Sequence, residues 1–386
     1  MNTTIPRIVL TVALSFAGIV VAAAAETTAD FYISPTGNDA WSGTLPAPNA
    51  SGTDGPFATL ERARDAVREV KKHKSDDIVV LVRGGTYRVE RTIVFTLDDG
   101  GGPGQTITYA AYPGETPIFS GGRPITQWRR VDPQTPRLPS AATGHVWTAD
   151  VSGTFFALFD DQGLLPRARS KGFIPREGGS RNEIRFPVAR LQAWPNLGDV
   201  EIVVRPYQAW IVNILPLASV DTKAGKARTA VSATYAMRPL HFLPETESCW
   251  VENALEFLDE PGEWVLDRSQ HKLYLWPRND KQPENIVAPA VRELIRVEGR
   301  IDKNGPTDVP VRNLCFRGLT FMHGDRFSVT DRDAGLQHDW EMHDRDNALV
   351  RFRGTEHCTI EACRFRHTGG GAIRVDLHGE ANTISG

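Results

Sequence analysis

A repeat with strand character near the end of the chain places the tightest limit on the fold. The segment VRNLCFRGLTFMHG at 311–324 aligns with TEHCTIEACRFRHT at 355–368, an offset of 44 residues that matches apolar or histidine positions. The matched pairs are Leu314 with Cys358, Phe316 with Ile360, Leu319 with Cys363, Phe321 with Phe365, and His323 with His367. A second comparison matches ALVRF at 348 with AIRVD at 372, an offset of 24. Periods of about 20–50 residues with strand signals predict stacked coils, each of which buries its apolar face on the next.

One amphipathic helix is predicted before the β-rich part of the chain. It begins near Pro56, and Leu60, Ala63, Val67 and Val70 recur at helical spacing, so one face is apolar. Such a helix is suited to cover the open end of a sheet. The 34 Gly and 26 Pro among 386 residues indicate many turns, and therefore β structure elsewhere. A net charge of -3 lacks the basic excess of nucleic-acid-binding proteins, so no nucleic-acid partner is expected.

The middle of the chain differs in character from its flanks. Seven of the nine Trp lie between about Trp128 and Pro277, where the predicted strands are longer. The segment EWVLDRSQHKLYLWP predicts a hairpin that turns at 268–271. We interpret this region as a β-sandwich-like insertion. The predicted domains are 26–125 (amino-terminal cap and first coils), 126–285 (inserted β-rich domain) and 286–386 (further coils).

Residues 1–25 are predicted to be a secretory signal. Arg7 precedes an apolar run that ends in small residues at 22–25, a pattern typical of cleavage after Ala25. The alternative is an uncleaved membrane anchor, because the run approaches the ~18 residues that a span requires. No basic stop-transfer cluster follows the run, which favours cleavage. The protein is then secreted or periplasmic, without membrane association after cleavage.

Export permits disulfides, and the chain has four cysteines, Cys249, Cys315, Cys358 and Cys363. Cys358 and Cys363 occupy apolar positions of a strand pattern, which favours buried free thiols. Zinc ligands cluster more tightly than these residues do, so no zinc site is predicted.

Several segments distributed over nearly the whole mature chain together resemble a known group of proteins. They are DFYISPTGNDAWSGT, PFATLERARDAVR, GGTYRVERTI, ITYAAYPGETPIFSGG, LDEPGEWVLDRSQHKLYLWP, VRNLCFRGLTF and IEACRFRHTGGGAIR. The group comprises exported proteins of the pectate-lyase-like superfamily around glycoside hydrolase family 141, with families 120 and 110 more distant. The resemblance implies an all-β, right-handed parallel β-helix (a solenoid) with an amino-terminal cap helix and an inserted domain.

The same resemblance implies a function and a length. The implied function is hydrolysis of a complex plant or algal polysaccharide by paired carboxylates, which in these relatives lie on middle and later coils. These relatives continue for many coils, and the final ANTISG is similar to the start of another coil. The resemblance therefore implies that the chain is an amino-terminal fragment of a longer protein.

The first candidate active-site segment is HDWEMHD. In an extended conformation Asp339, Glu341 and His343 point to one side, while Trp340 and Met342 point to the other. Residues two apart in a strand are separated by roughly 6.6 Å, and glycosidase carboxyl pairs lie about 5–5.5 Å (retaining) or 6.5–9.5 Å (inverting) apart. Asp339 and Glu341 are therefore predicted as acid and base, with His343 and Trp340 as substrate contacts. The alternative is a solvated strand face beside a buried Trp-Met face.

The second candidate segment is RHTGGGAIRVDLHGEAN. Ile373 and Val375 face one side of the predicted strand, so Arg374 and Asp376 share the other. Asp376 is a third catalytic candidate, with Arg374 and His378 as substrate contacts. The alternative is a surface ion pair that contributes little.

Other features leave the chemistry open. Asp331 and Asp333 in TDRDAG suit a calcium-binding turn, but two carboxylates are too few to define one, so no cofactor is predicted. Trp41, Trp210 and Trp340 can stack on sugar faces, although packing is the more common role of Trp. No serine-hydrolase, metalloprotease or dinucleotide-binding motif is present. The expected partner is an oligosaccharide or polysaccharide. The alternatives to a hydrolase are a polysaccharide lyase and a non-catalytic, glycan-binding cell-surface protein.

Overall fold

The computed structural model of the chain describes residues 29–188, 190–327 and 344–386. Its first strands are short, and one helix lies among them. In chain order these elements are β1 (Phe31–Ile33), α1 (Leu60–Val70), β2 (Ile78–Val82), β3 (Gly85–Arg88), β4 (Ile93–Phe95), β5 (Ile107–Ala111) and β6 (Pro117–Ser120), with a 3-10 turn at Leu97–Asp99.

The middle of the chain contributes many strands and more 3-10 turns. The strands are β7 (Gly122–Pro124), β8 (Arg129–Arg130), β9 (Trp147–Asp150), β10 (Phe159–Asp160), β11 (Gly163–Leu164), β12 (Glu183–Arg185), β13 (Glu201–Val204), β14 (Asn213–Asp221), β15 (Lys226–Thr229), β16 (Cys249–Glu252), β17 (Trp264–Asp267), β18 (Lys272–Leu275) and β19 (Val287–Pro289). The 3-10 turns are Ser140–Ala142, Leu197–Asp199 and Leu255–Phe257. The prediction of longer strands here is wrong, because within the part that the structure describes only β14, with nine residues, exceeds four.

The last part of the chain contains both short strands and two long ones. They are β20 (Ile295–Glu298), β21 (Val311–Arg312), β22 (Leu314–Arg317), β23 (Thr320–Gly324), β24 (Ala348–Glu356), β25 (Thr359–Glu361), β26 (Arg364–Thr368), β27 (Gly371–Glu380) and β28 (Thr383–Ser385). The long strands are β24 and β27, of nine and ten residues. Strands thus dominate the described residues, which confirms the all-β class.

The first and last parts of the chain together build three parallel sheets. The first has the order β1-β2-β5-β22-β25-β28, the second β3-β6-β23-β26, and the third β4-β20-β24-β27, with β21 also paired to β24. The chain passes from the first sheet to the second and then to the third, as in β22, β23 and β24, before it returns to the first. Each strand therefore pairs with its counterpart from another passage.

The strand register confirms the 44-residue offset. Phe316 pairs with Ile360 and Phe321 with Phe365. The alignment of 348–352 with 372–376 is wrong by one residue throughout, because Val350 pairs with Ile373 and Phe352 with Val375, an offset of 23. A register shift between Arg353 and Thr355 then inserts the additional residue. Since a slip of one residue exchanges the two faces of a strand, the buried faces of β24 and β27 coincide only with the structural register.

The interior of the three sheets is a stack of apolar side chains. Phe119, Phe321 and Phe365 follow one another across neighbouring strands, with ring centroids 5.7 and 5.5 Å apart. Helix α1 packs beside β1 and contributes the buried Leu60, Ala63, Ala66 and Val67. The Thr59 side chain caps it by accepting a hydrogen bond from the Arg62 N–H. The predicted helix is therefore confirmed.

The middle of the chain forms antiparallel sheets with their own cores. One has the order β12-β15-β14-β13-β16, another β17-β18-β9-β8, and a third β11-β10-β19-β7. Strands β17 and β18 pair antiparallel, which confirms the predicted hairpin. Trp264 lies fully buried among apolar neighbours in this region. We refer to residues 126–285 as the insertion; these domain boundaries stay a prediction.

The cysteines and the helices bear on two further expectations. All four cysteines carry free thiols, with Cys358 buried and Cys363 half-buried. Burial raises the pKa of both thiols to about 11, so they are protonated packing groups. Within the described residues no helix has the length and apolar character to cross a bilayer. The predicted signal, residues 1–25, lies outside the described residues.

A polar row joins the second parallel sheet to the insertion. Ser120 Oγ lies 2.9 Å from His323 Nδ1, and His323 Nε2 lies 3.3 Å from His367 Nδ1. Phe159 of the insertion packs on both imidazoles, with centroids 5.4 and 5.9 Å away. Burial, with a smaller effect from His367, lowers the pKa of His323 to about 4. Burial also lowers the pKa of His367, near which lie Arg366, Asp160 and Asp161.

This row is expected to make the free energy of unfolding depend on pH between about 6.5 and 4. The unfolded chain protonates His323 near its ordinary value while the folded chain keeps it neutral, so stability falls as pH falls through this window. The loss amounts to about 3 kcal/mol at most from His323. Asparagine tolerates the positive φ of 64° at this position, so His323→Asn should flatten the curve. Denaturant unfolding from pH 7 to 4 measures it, with the exposed His73→Asn as control; equal slopes in both variants would contradict the prediction.

Candidate functional site

A groove lies between the insertion and the rim of the parallel sheets. Its volume is about 620 Å³. The insertion contributes Thr154, Phe156 and Arg268 to its lining. The parallel sheets contribute Arg91 and Thr92 before β4, Val291–Glu293 before β20, Asp325 after β23, and Asp346 before β24. These residues come from connections between strands, where side chains are free to face a ligand rather than a core.

Asp325 is the buried carboxyl group of this groove. It is 8% exposed, and its carboxylate accepts hydrogen bonds from the Phe156 N–H at 3.0 and 3.1 Å and from the Arg326 N–H at 2.9 Å. Burial raises the pKa of Asp325 to about 6, although these donors and the charges of Arg326 and Arg292 act in the opposite direction. A carboxyl group with such a pKa keeps its proton up to about pH 6, about two units higher than an ordinary aspartate, and can act as a general acid in that range.

Asp346 is a half-buried carboxylate that also lines the groove. Its side chain is 39% exposed, and the Arg292 guanidinium binds one of its oxygens at 2.6 Å. The groove therefore contains two carboxyl groups in different environments. Asp325 is buried, whereas Asp346 is ion-paired and in contact with solvent. In hydrolases such different environments give one carboxyl group the role of acid and the other that of base or nucleophile.

A buried charge network lies behind the groove, on the third parallel sheet. Its centre is Arg351, which is 3% exposed and donates to Asp376 at 2.9 Å, to Asp344 at 3.0 Å and to Glu293 at 3.4 Å. Arg296 also binds Glu293, at 3.0 Å. Burial raises the pKa of Glu293 despite these two arginines. The hydrogen bonds and ion pair of Asp344 with Arg353, and those with Arg351, hold the pKa of that carboxyl well below its ordinary value.

The structure brings the predicted Arg374 and Asp376 together. Arg374 Nε donates to Asp376 at 3.0 Å, as expected for residues on one strand face. The surface ion pair that the sequence left as an alternative is wrong, because the Asp376 side chain is only 7% exposed and also accepts from Arg351 and from the Asp344 N–H. Asp376 does not line the groove described above. Its catalytic role stays a prediction.

The predicted His378 lies in a different cluster. His378 Nδ1 is 3.2 Å from Asp308, and Nε2 is 2.9 Å from Glu356. Ligand atoms of His378, Glu356 and Glu380 lie within 4.8 Å of one another, which is close enough to share one cation. Arg312, however, already binds Glu356 at 2.5 Å. The sequence did not predict this cluster, and the contacts are those of an ion-pair network.

The remaining sequence predictions fall on residues that the structure does not describe. Asp339, Trp340, Glu341 and His343, together with the calcium candidates Asp331 and Asp333, lie in 328–343, outside the described residues. The described residues on either side of this segment include Asp325 and Asp346 of the groove. The roles of the undescribed candidates stay predictions.

Sequence reasoning missed Asp325, Asp346 and Glu293. One signal for Asp325 was present, because the 44-residue repeat places it opposite Gly369. A Cβ atom on Gly369 would lie 2.9 Å from the Arg326 nitrogen, so the second copy needs glycine where the first carries the acid. A polar residue that breaks an otherwise matched repeat is therefore a useful indicator of a site.

Comparison with known proteins gives the groove a context. Residues 182–278 match the family described as GH141 insertion domain. A solved structure described as "Glycoside hydrolase" is similar over 89% of this chain, with a TM-score of 0.64 and 22% identity. The chain resembles the GH141 group. The TM-score shows that the two share a fold over most of the present residues. This chain spans 63% of the length of that structure.

One further solved structure and the curated proteins give no support to a function. A solved structure described as "The complex structure of XylC with xylose" matches 87% of this chain and 40% of its own, at 13% identity, and its TM-score of 0.34 is too low to support a conclusion. No curated protein matches the chain.

Arg268 of the groove and Glu201 of the insertion both lie inside the segment that matches the GH141 insertion domain.

Proposed function

We propose that this chain belongs to an exported glycoside hydrolase that binds an oligosaccharide or polysaccharide in the groove. The observation that carries the proposal is the presence of a buried acid, Asp325, and a half-buried carboxylate, Asp346, in the lining of one groove. The match of the insertion and the similar solved structure described as a glycoside hydrolase support it. Secretion or periplasmic localisation remains part of the proposal, based on the signal-like residues 1–25.

The proposed architecture is a right-handed parallel β-helix that carries the insertion. Support comes from the repeated passage through three parallel sheets and from the aligned rings of Phe119, Phe321 and Phe365 along the core. The rim of such a solenoid presents connections from successive coils side by side. A groove at such a rim is open to solvent and suits a polymer better than an enclosed pocket does.

In the proposed mechanism Asp325 donates its proton to the glycosidic oxygen as the bond to the anomeric carbon breaks. Asp346 acts on the opposite side, either as base for an attacking water or as nucleophile. The two routes give inverted or retained anomeric products, and the separation of the two carboxyl groups around the bound sugar selects between them. Arg292 holds Asp346 in place through its ion pair.

The test is incubation of the purified protein with a panel of neutral and acidic polysaccharides, with heat-denatured protein as control. Release of reducing ends without an unsaturated sugar supports the proposal. A chelator-sensitive, ultraviolet-absorbing product would instead identify a lyase. Glycan binding without any turnover, in a protein that extends past residue 386, would favour the non-catalytic alternative.

A further inference from the structure

A buried charge cluster joins the insertion to the turn that carries Asp325. Glu201, in β13 of the insertion, is 4% exposed and accepts from Arg326 at 2.5 Å and from Arg167. Burial raises the pKa of Glu201, but the charges and hydrogen bonds of Arg167 and Arg326 outweigh burial, so the pKa is lowered and the carboxylate is ionised. A buried carboxylate between two arginines is specific in geometry, because each partner is costly to leave unpaired.

Phe156 connects this cluster to Asp325. The Arg326 guanidinium carbon lies 4.3 Å from the centroid of the Phe156 ring, within the range of a cation–π contact. The N–H of the same Phe156 donates to both oxygens of Asp325, 3.0 and 3.1 Å away. Phe156 thus has its ring held by Arg326, and its backbone N–H donates a hydrogen bond to Asp325 in the groove.

We infer that Glu201, Arg326 and Phe156 form a clamp through which the insertion positions Asp325 and shields it from water, so that the insertion is part of the catalytic apparatus. The inference rests on the function proposed above. Glu201 and Arg326 are positioning residues, since neither is the group that donates the proton. The clamp also gives the fold a reason to carry an insertion between early and later strands of the parallel sheets.

The clamp is expected to affect the pH dependence of hydrolysis, and other charged side chains near Asp325 can affect it as well. They are Arg326 on its own turn, Arg292 and Glu293 before β20, Asp346 before β24, Arg91 before β4, and Arg268 from the insertion. Glu201→Gln leaves all of these in place. It removes the carboxylate that pairs with both Arg326 and Arg167, so it also changes the charge near Asp325. Phe156→Ala changes no charge, so a shift in both variants reports on the clamp.

The expected result for Glu201→Gln is a basic limb of the pH profile of kcat/KM that moves toward acid by up to about two units. The reason is that water reaches Asp325 and its pKa relaxes from about 6 toward 3.8. Phe156→Ala, which keeps the N–H and loses the ring, should shift the limb in the same direction and carries the test where Glu201→Gln fails to fold. The control is Glu183→Gln in the same sheet, whose carboxylate pairs with Arg228 and Lys226 and leaves the limb unchanged.

A second readout does not need activity. As the pH rises from 4 to 6, the parent should lose thermal stability relative to its Asp325→Asn variant. The reason is that only the parent must ionise a buried acid in the folded state. In a Glu201→Gln or Phe156→Ala background this relative loss should disappear. Hydrolysis with an unshifted limb in both clamp variants overturns the clamp and leaves the hydrolase proposal standing. No hydrolysis by the parent, together with loss of the stability signature in the variants, overturns the function and retains the clamp.

Discussion

Asp325→Asn is expected to reduce kcat/KM for glycan hydrolysis by about 10²–10⁴-fold, the usual contribution of a general acid. Asparagine keeps the size of the side chain and the hydrogen bond from the Phe156 N–H to one oxygen, but it has no proton to give to the leaving group. The loss should be much smaller for a substrate whose leaving group is a good one, such as an activated aryl glycoside. Steady-state rates on both substrates measure the effect, with the exposed Asp98→Asn as control.

Variants of three other carboxylates test the assignment of Asp325 as the general acid. Asp346→Asn should reduce hydrolysis of both substrates to a similar extent, because a base or nucleophile is needed whatever the leaving group. Asp339→Asn and Glu341→Gln examine the pair predicted from sequence. Near-normal rates in both would remove that pair, whereas near-normal rates in Asp325→Asn would remove the acid proposed from the structure.

Arg351→Met is expected to lower the free energy of unfolding by about 3–5 kcal/mol, since removal of one partner leaves buried carboxylates without their counter-charge. Arg351 is 3% exposed, and Asp376 and Glu293 are buried around it. The penalty should shrink as the pH falls, because Glu293, whose pKa is raised by burial, becomes protonated and no longer needs the arginine. Denaturant unfolding at pH 7 and at pH 4 measures both effects.

The matched control for this prediction is Arg317→Met. Arg317 pairs with Glu361 at 2.6 Å on the surface, where the two side chains are 53% and 42% exposed. Such pairs typically contribute about 0–1 kcal/mol. Equal losses in the two variants would mean that the network behind the groove behaves as a surface feature and does not hold the third sheet in register.

Much of the fold follows from short-range patterns in the sequence. The 44-residue offset appears in the structure as the pairing of Phe316 with Ile360, because strand alternation and turn spacing are local and repeat from coil to coil. Helix α1 likewise follows from apolar spacing and a threonine cap. The one-residue error between β24 and β27 arose where an irregularity at Arg353–Thr355 changed the spacing, which no periodic pattern records.

The sequence by itself determined that the chain is β-rich, that the repeated strands pair with one another, and that Arg374 and Asp376 share a face. Only the tertiary structure decided which acids have unusual chemistry. Asp325 is buried and accepts a hydrogen bond from Phe156, a residue 169 positions away, and Glu293 meets Arg351 across 58 positions. The pKa of a carboxyl group depends on the water, donors and charges within a few ångströms of it, and those neighbours come together only when the insertion folds back onto the parallel sheets.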